Sequence, residues 1–434
     1  KGKTTLRSFS QIRTDHTGMA APPAYVVDLG ASTCAMGYAG DDAPRRFLSS
    51  TYSCSSSSDD TRPFSAANGD KLVRDLSACT EPDLRTLFDE NGDLDHTPDG
   101  ALSAYLTDGL GYAKSQRDKP LMFVERSGTT SEQRCKNAEV LFEQEGFPGL
   151  FMGRDAVLSC YAVGKSTGVV VDISGSRTTV TPVHEGWVES SATLTSPVSG
   201  DMMDIKFKEV LDEISNAKHG GDALPKYLAG AKDPEETKEE RGGEYFDLMC
   251  MMLGRQGREE AGKIADFGYD PDDEKNQTII PKLFKLPDGK EVEIGIERYE
   301  SGEMLFGKDC PERELTAGSD SLLLPDPLQN LICDSVFKCE RDQQAALLST
   351  VILAGGGSCV EGIQERTRLE VENIIHTHTP GWRVKVLAPA HPERRISSWL
   401  GGSILASLGS FGDNWTSKKE YDEYGSSIVT RKCP

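Results

Sequence analysis

One short unit occurs twice in this chain. Tyr25-Val-Val-Asp-Leu-Gly-Ala-Ser-Thr-Cys-Ala-Met-Gly-Tyr38 reads as an apolar strand, a tight turn after Asp28 and a second strand reaching Tyr38. Val169-Val-Val-Asp-Ile-Ser-Gly-Ser-Arg-Thr-Thr-Val-Thr-Pro-Val-His184 repeats that order around Asp172. Such a duplication predicts two related halves, each offering one turn to a shared cleft. Gly30 has no Cβ, so backbone N–H groups of its turn can approach an anion closely. Asp28, at the end of its strand, is placed to hold a metal-bound water beside that anion. A single copy is also the pattern of an ordinary hairpin, so the weight comes from the repeat.

A third loop of small residues, Ala354-Gly-Gly-Gly-Ser358, follows the apolar run Val351-Ile-Leu353 and precedes a helical pattern. Together the three loops resemble the two phosphate loops and the adenosine loop of the actin/Hsp70/hexokinase ATPase superfamily. Gly37-Tyr-Ala-Gly-Asp-Asp-Ala-Pro-Arg45 and Ala156-Val-Leu-Ser-Cys-Tyr-Ala-Val-Gly-Lys-Ser-Thr-Gly168 resemble segments of actin. So do Leu286-Pro-Asp-Gly-Lys-Glu-Val-Glu-Ile294, Glu297-Arg-Tyr299, Ser398-Trp-Leu-Gly-Gly-Ser-Ile-Leu-Ala-Ser-Leu408 and Lys418-Lys-Glu-Tyr-Asp-Glu423.

The resemblance implies an α/β, actin-like two-lobed fold, with duplicated ribonuclease-H-like mixed sheets around a nucleotide cleft. Its small lobe is expected at 22–162 plus 396–434, with a poorly matched upper subdomain at about 49–90. The large lobe is expected at 163–395, with a divergent inserted subdomain at about 199–322. Residues 1–21 fall outside the resemblance and read as a flexible extension, although their basic, hydroxyl-rich start could also pass for a transit peptide.

The same resemblance implies ATP or ADP with Mg²⁺ or Ca²⁺ as cofactor. It would be held by Asp28, Gly30, Ser32, Asp172, Gly175, Ser176, Gly355, Gly356, Gly357 and Arg395, with Asp28 and Asp172 on the metal side. Several positions depart from the actin pattern. Leu29 and Ala31 stand where polar residues reach phosphate, Ala35 where a lysine does, and Val360 where an aromatic residue lies beside adenine. The second loop's central glycine is displaced by one position. Asp155 and Thr179 stand where actin uses a glutamine and a histidine to align and polarise the attacking water. A threonine cannot relay protons as imidazole does. The expectation is nucleotide binding without turnover: no catalytic residues and no enzyme.

Composition bounds the remainder. The net charge of −21 argues against nucleic-acid backbones and anionic membranes as partners and suits basic ones. Eleven cysteines without a Cys-x-x-Cys pair indicate neither a zinc site nor a disulfide frame, and point to a reducing compartment. No apolar run approaches the length of a membrane span. His376 and His378 have no third ligand nearby and read as surface residues.

The polar stretch Ser49–Asp60 reads as a mobile loop and carries no match to actin's filament-gripping loop, which argues against actin-like polymerisation. Val180–Val188, Thr195–Asp201, Ser407–Phe411 and Arg431–Pro434 resemble the nuclear actin-related protein of chromatin complexes. That resemblance implies a non-catalytic scaffold subunit shared by remodellers of the SWI/SNF and INO80 types and by the NuA4 histone acetyltransferase. Its partners would be actin, a remodeller helix and other subunits of the complex, with histones as a further candidate, and its location the nucleus. A cytoskeletal or ciliary actin-related protein, in the cytoplasm, and a slow ATPase switch are the alternatives. The partner groove is expected at Tyr161, Ile404, Leu405 and Leu408, the last three on one helical stripe.

Overall fold

The computed structural model describes residues 24–55, 71–73, 84–88, 93–229, 231, 237–239, 243–266, 268–269, 279–307 and 326–433. The extension 1–21 and most of the acidic stretches 233–240 and 266–276 lie outside the described residues.

The first repeat forms β1 (Tyr25–Leu29) and β2 (Thr33–Tyr38), antiparallel partners with Asp28 opposite Ala35. Every residue of β1 is buried, because the strand is covered on both faces. β3 (Arg46–Ser49) extends the sheet beyond β2. The chain then enters β4 (Thr51–Ser55), which pairs with β5 (Lys71–Val73) and β6 (Leu84–Thr86) in a small separate sheet. The mobile-loop expectation therefore fails for Thr51–Ser55, where β-ladder pairing overrides the weak strand preference of serine.

On the other side of β1 lies β7 (Leu121–Glu125), parallel to it, and then β8 (Gly149–Arg154). Helix Ala101–Leu110 leads to β7, and helix Ser131–Glu139 leads to β8. The latter is closed at its start by a capping box between Thr130 and Gln133 and continues into a wider π turn, Val140–Gln144. Ala138, Leu141 and Phe142 along this segment are all buried.

The second repeat forms β9 (Gly168–Ile173) and β10 (Thr178–His184), again antiparallel, with Asp172 opposite Thr179. β10 also pairs with β11 (Trp187–Val188) and β12 (Leu194–Ser196). On its other edge β9 runs parallel to β15 (Val351–Ala354), which pairs with β16 (Val386–Leu387). Each repeat thus contributes a central strand with an antiparallel hairpin partner on one side and a parallel strand on the other. This is the duplicated mixed-sheet topology of the actin fold.

Two helices join the halves. Helix Asp155–Ala162 follows β8 directly and packs on helix Ser397–Ala406, close enough that a Cβ on Gly401 would lie 1.8 Å from the Leu158 carbonyl oxygen. Trp399, fully buried, donates its indole N–H to the Val26 carbonyl at 3.1 Å and locks the second helix under β1. That helix stops at Ala406, and Leu408 is already extended. Leu408 therefore does not continue the helical stripe expected of Ile404 and Leu405; the chain leaves the helix before Gly409.

A third apolar cluster lies between helix Gly200–His219, helix Gly243–Ala261 and the hairpin β13 (Lys282–Lys285)/β14 (Glu291–Ile294). A Pro-Asp-Gly turn closes that hairpin, with Gly289 at φ +90°.

Candidate functional site

The turns after β1 and β9 and the loop after β15 converge on one cavity of about 1030 Å³, counting the part open to solvent. Nine of the ten residues expected to face a nucleotide line it: Asp28, Gly30, Ser32, Asp172, Gly175, Gly355, Gly356, Gly357 and Arg395. Ser176 is not among the lining residues. It is exposed on its turn, because the displaced glycine puts Gly175 at the point of closest approach instead.

The two turns nearly touch. A Cβ on Gly175 would lie 1.9 Å from Ser32 Oγ, and one on Gly355 would lie 2.2 Å from Asp172 Oδ1. Gly355 is also held at φ +82°, where a side chain is strained. These glycines keep the floor of the cavity free of side chains; the Gly30 and Gly355 N–H groups are themselves donated to the Thr33 and Arg394 carbonyls, at 2.8 and 3.0 Å.

The carboxylates are held differently. Asp28 accepts a hydrogen bond from Arg126 Nη2 at 3.1 Å and another from the Ser398 hydroxyl on its second oxygen. Asp155 Oδ1 accepts from Ser127 N–H at 2.9 Å, from the Ser127 hydroxyl, and from Ala156 N–H at 2.7 Å. It stands at the first position of its helix, bonds the next residue's N–H and ties down the loop after β7. Burial pushes the Asp172 carboxyl up to about 7; Arg126 opposes that rise, while Asp155 and Asp28 add to it. Burial also disfavours the charge on Arg126, but Asp28, Asp155 and Asp172 outweigh it and raise its pKa.

The far wall comes from helix Gly243–Ala261, which sequence reasoning missed. Arg255, Arg258 and Glu259 line the cavity at helical spacing. Arg255 Nε donates to Asp204 Oδ2 at 2.7 Å, and its Nη2 to Asp201 Oδ1 at 2.6 Å. Arg258 Nε donates to Asp204 Oδ1 at 2.6 Å, and Asp204 is fully buried. Arg395 forms an ion pair with Glu259 across the cavity. The only sequence signal was Gly254-Arg-Gln-Gly-Arg-Glu259, whose glycines let the helix approach Asp204 and Phe207.

This arrangement fits a nucleoside polyphosphate, with bare glycine turns for its phosphates and a wall of α-helix and glycine loop for its base. A divalent ion would be held by Asp28 and Asp172 through water. Among the described residues no three His, Cys, Asp or Glu side chains come together to ligate one directly. His376 and His378 are exposed at a helix end. The described cysteines are free thiols, and no helix among the described residues is long and apolar enough to cross a membrane.

The four residues of the expected partner groove are all half-buried. Leu405 and Leu408 pack on the core of the first sheet, and Tyr161 on the cluster between helix Asp155–Ala162 and the second sheet.

Two mixed sheets of duplicated topology, with three loops on one interlobe cavity, define an actin-type fold. The chain belongs to the actin family, whose sequence model matches residues 19–434. Over nearly its whole length it is similar to proteins named actin-related protein 4. The protein of that name from Oryza sativa subsp. indica is 31% identical over 447 residues, covering 95% of this chain and 98% of the relative. That from Arabidopsis thaliana is 31% identical over 444 residues, with the same coverage. The Schizosaccharomyces pombe protein is 28% identical over 454 residues, covering 94% and 97%.

Proposed function

We propose that this actin-related chain is a non-catalytic scaffold subunit of a nuclear chromatin-remodelling or histone-acetyltransferase complex. In this reading ATP or ADP, with Mg²⁺ or Ca²⁺, serves as a clamp between the lobes, held from Asp28, Gly30, Ser32, Asp172, Gly175, the Gly355–Gly357 loop and Arg395. The observation that carries the absence of turnover is the state of Asp155. Its Oδ1 accepts three local hydrogen bonds, which supports a positional role for this carboxylate at the start of its helix. Thr179, opposite Asp172, offers no imidazole.

The docking part of the proposal places a remodeller helix, beside actin, against Tyr161, Ile404, Leu405 and Leu408. Their partial exposure leaves apolar surface for an amphipathic helix, and a basic helix suits a chain of net charge −21. Other subunits of the complex, and histones, are the further partners. Affinity purification of the full chain from nuclear and cytoplasmic fractions tests the assignment. Recovery of actin with remodeller or acetyltransferase subunits supports it. Recovery of microtubule or ciliary proteins instead favours the cytoskeletal alternative, and multiple turnover of ATP favours the switch. The Leu408→Asp protein, shown to be folded, is expected to lose about 2 kcal/mol or more of binding to a remodeller helix; unchanged binding puts the contact elsewhere.

A further inference from the structure

The cations lining the cavity are not equivalent. Arg255 is held by Asp201 and Asp204, Arg258 by Asp204 through Nε while its buried Nη1 has no hydrogen-bond partner among the described residues, and Arg395 pairs with Glu259 on the far wall. Arg394 donates to the Pro389 carbonyl at 2.8 Å and to the Ser358 carbonyl, holding the glycine loop in place. Arg126 stands elsewhere, at the two anion-facing turns. Its Nη2 lies 2.7 Å from where a Cβ on Gly30 would be, against the bare face of the first turn. Its backbone is fixed, since the Arg126 carbonyl accepts from Thr129 N–H at 3.1 Å and from the Thr129 hydroxyl at 2.8 Å. The facing position on β2 is Ala35, which lines the same cavity without charge or hydrogen-bonding capacity.

A polyphosphate entering this cavity meets Asp28, Asp155 and Asp172 as like charges, and some cation must offset them. A guanidinium presents five N–H donors in a planar fork that matches two phosphate oxygens, and it stays charged at any relevant pH. We propose that Arg126 is a built-in counter-ion of the cleft: it grips the distal phosphates of a nucleoside di- or triphosphate at the Gly30 turn and makes nucleotide retention largely independent of a divalent ion. This rests on the nucleotide-binding reading given above. Among the described residues Arg126 reaches Asp28 through Nη2 alone, so Nε and Nη1 of the fork are left for a phosphate.

The test is equilibrium binding of ADP, ATP and adenosine to the full chain, in excess Mg²⁺ and in EDTA, with melting curves as a folding control. The intact chain is expected to bind ADP in EDTA within about threefold of its affinity in Mg²⁺. Arg126→Ala is expected to weaken ADP binding in EDTA by about tenfold or more and leave adenosine binding unchanged. Arg126→Lys is expected to recover part of the loss, as a point charge without the fork. If the intact chain loses ADP in EDTA by more than an order of magnitude, the inference is overturned and nucleotide binding stands. Equal or tighter binding by folded Arg126→Ala also overturns it, since Arg126 would then be a plug rather than a grip. An intact chain that binds neither nucleotide in either buffer removes the underlying reading as well.

Discussion

The two copies of the strand–Asp–turn–strand unit share topology and register, yet their carboxylates live in opposite conditions. Asp28 is neutralised within the chain by Arg126 and Ser398. Asp172, against the glycine loop, is pushed by burial to a pKa of about 7. The backbone of the repeat thus sets where an acid stands, while side chains arriving from other elements decide whether it is comfortable there. Arg126 comes from the loop after β7 and Ser398 from helix Ser397–Ala406, and among the described residues no equivalent pair of hydrogen bonds reaches Asp172.

The largest expected effect lies at the fully paired extreme. Asp204→Ala strands Arg255 and Arg258 beside a buried, uncompensated site and should cost about 3–5 kcal/mol in chemical denaturation. A loss below 1 kcal/mol would mean that paired acids in this cleft are not what holds helices Gly200–His219 and Gly243–Ala261 together. Asp28→Asn removes one charge-assisted pair and should cost about 1–3 kcal/mol.

Asp172→Asn is expected to act with the opposite sign. The folded-state pKa of Asp172 lies above its ordinary value of 3.8, so the folded chain holds that proton more tightly than the unfolded one. Its ionisation therefore opposes folding progressively from about pH 4 to about pH 7. In the ligand-free protein the asparagine variant should match the parent near pH 4 and exceed its stability by about 1–2 kcal/mol at pH 7.5. Equal destabilisation by both asparagine substitutions would erase the distinction between the two halves.

The smallest effect is a control far from the cleft. Ser417→Ala opens the capping box with Glu420 and should cost about 1 kcal/mol without altering nucleotide binding.

What could be read from the sequence was what repeats or has a period. The two hairpins and the glycine loop all follow from apolar spacing and small-residue turns. Arg126 was invisible because its role depends on strand pairing: β7 lies parallel to β1 with Val124 opposite Asp28, which brings the end of β7 to the first turn. The Arg255–Arg258–Glu259 face was hidden for a related reason, since its helix reaches the cleft only through close packing on Asp204 and Phe207. Ser176 was placed by analogy with a turn whose glycine is not where the analogy needs it. Leu408 was given to a helix that ends two residues earlier.

On the proposal above, the cleft between the two turns holds a nucleotide without turning it over. The most direct measurement incubates the purified full chain with millimolar ATP labelled on its γ-phosphate, then separates bound label from released phosphate. The account predicts about one bound nucleotide per chain, with phosphate release no greater than from Asp172→Ala protein. Repeated turnover, or a cleft that stays empty at that concentration, would contradict it.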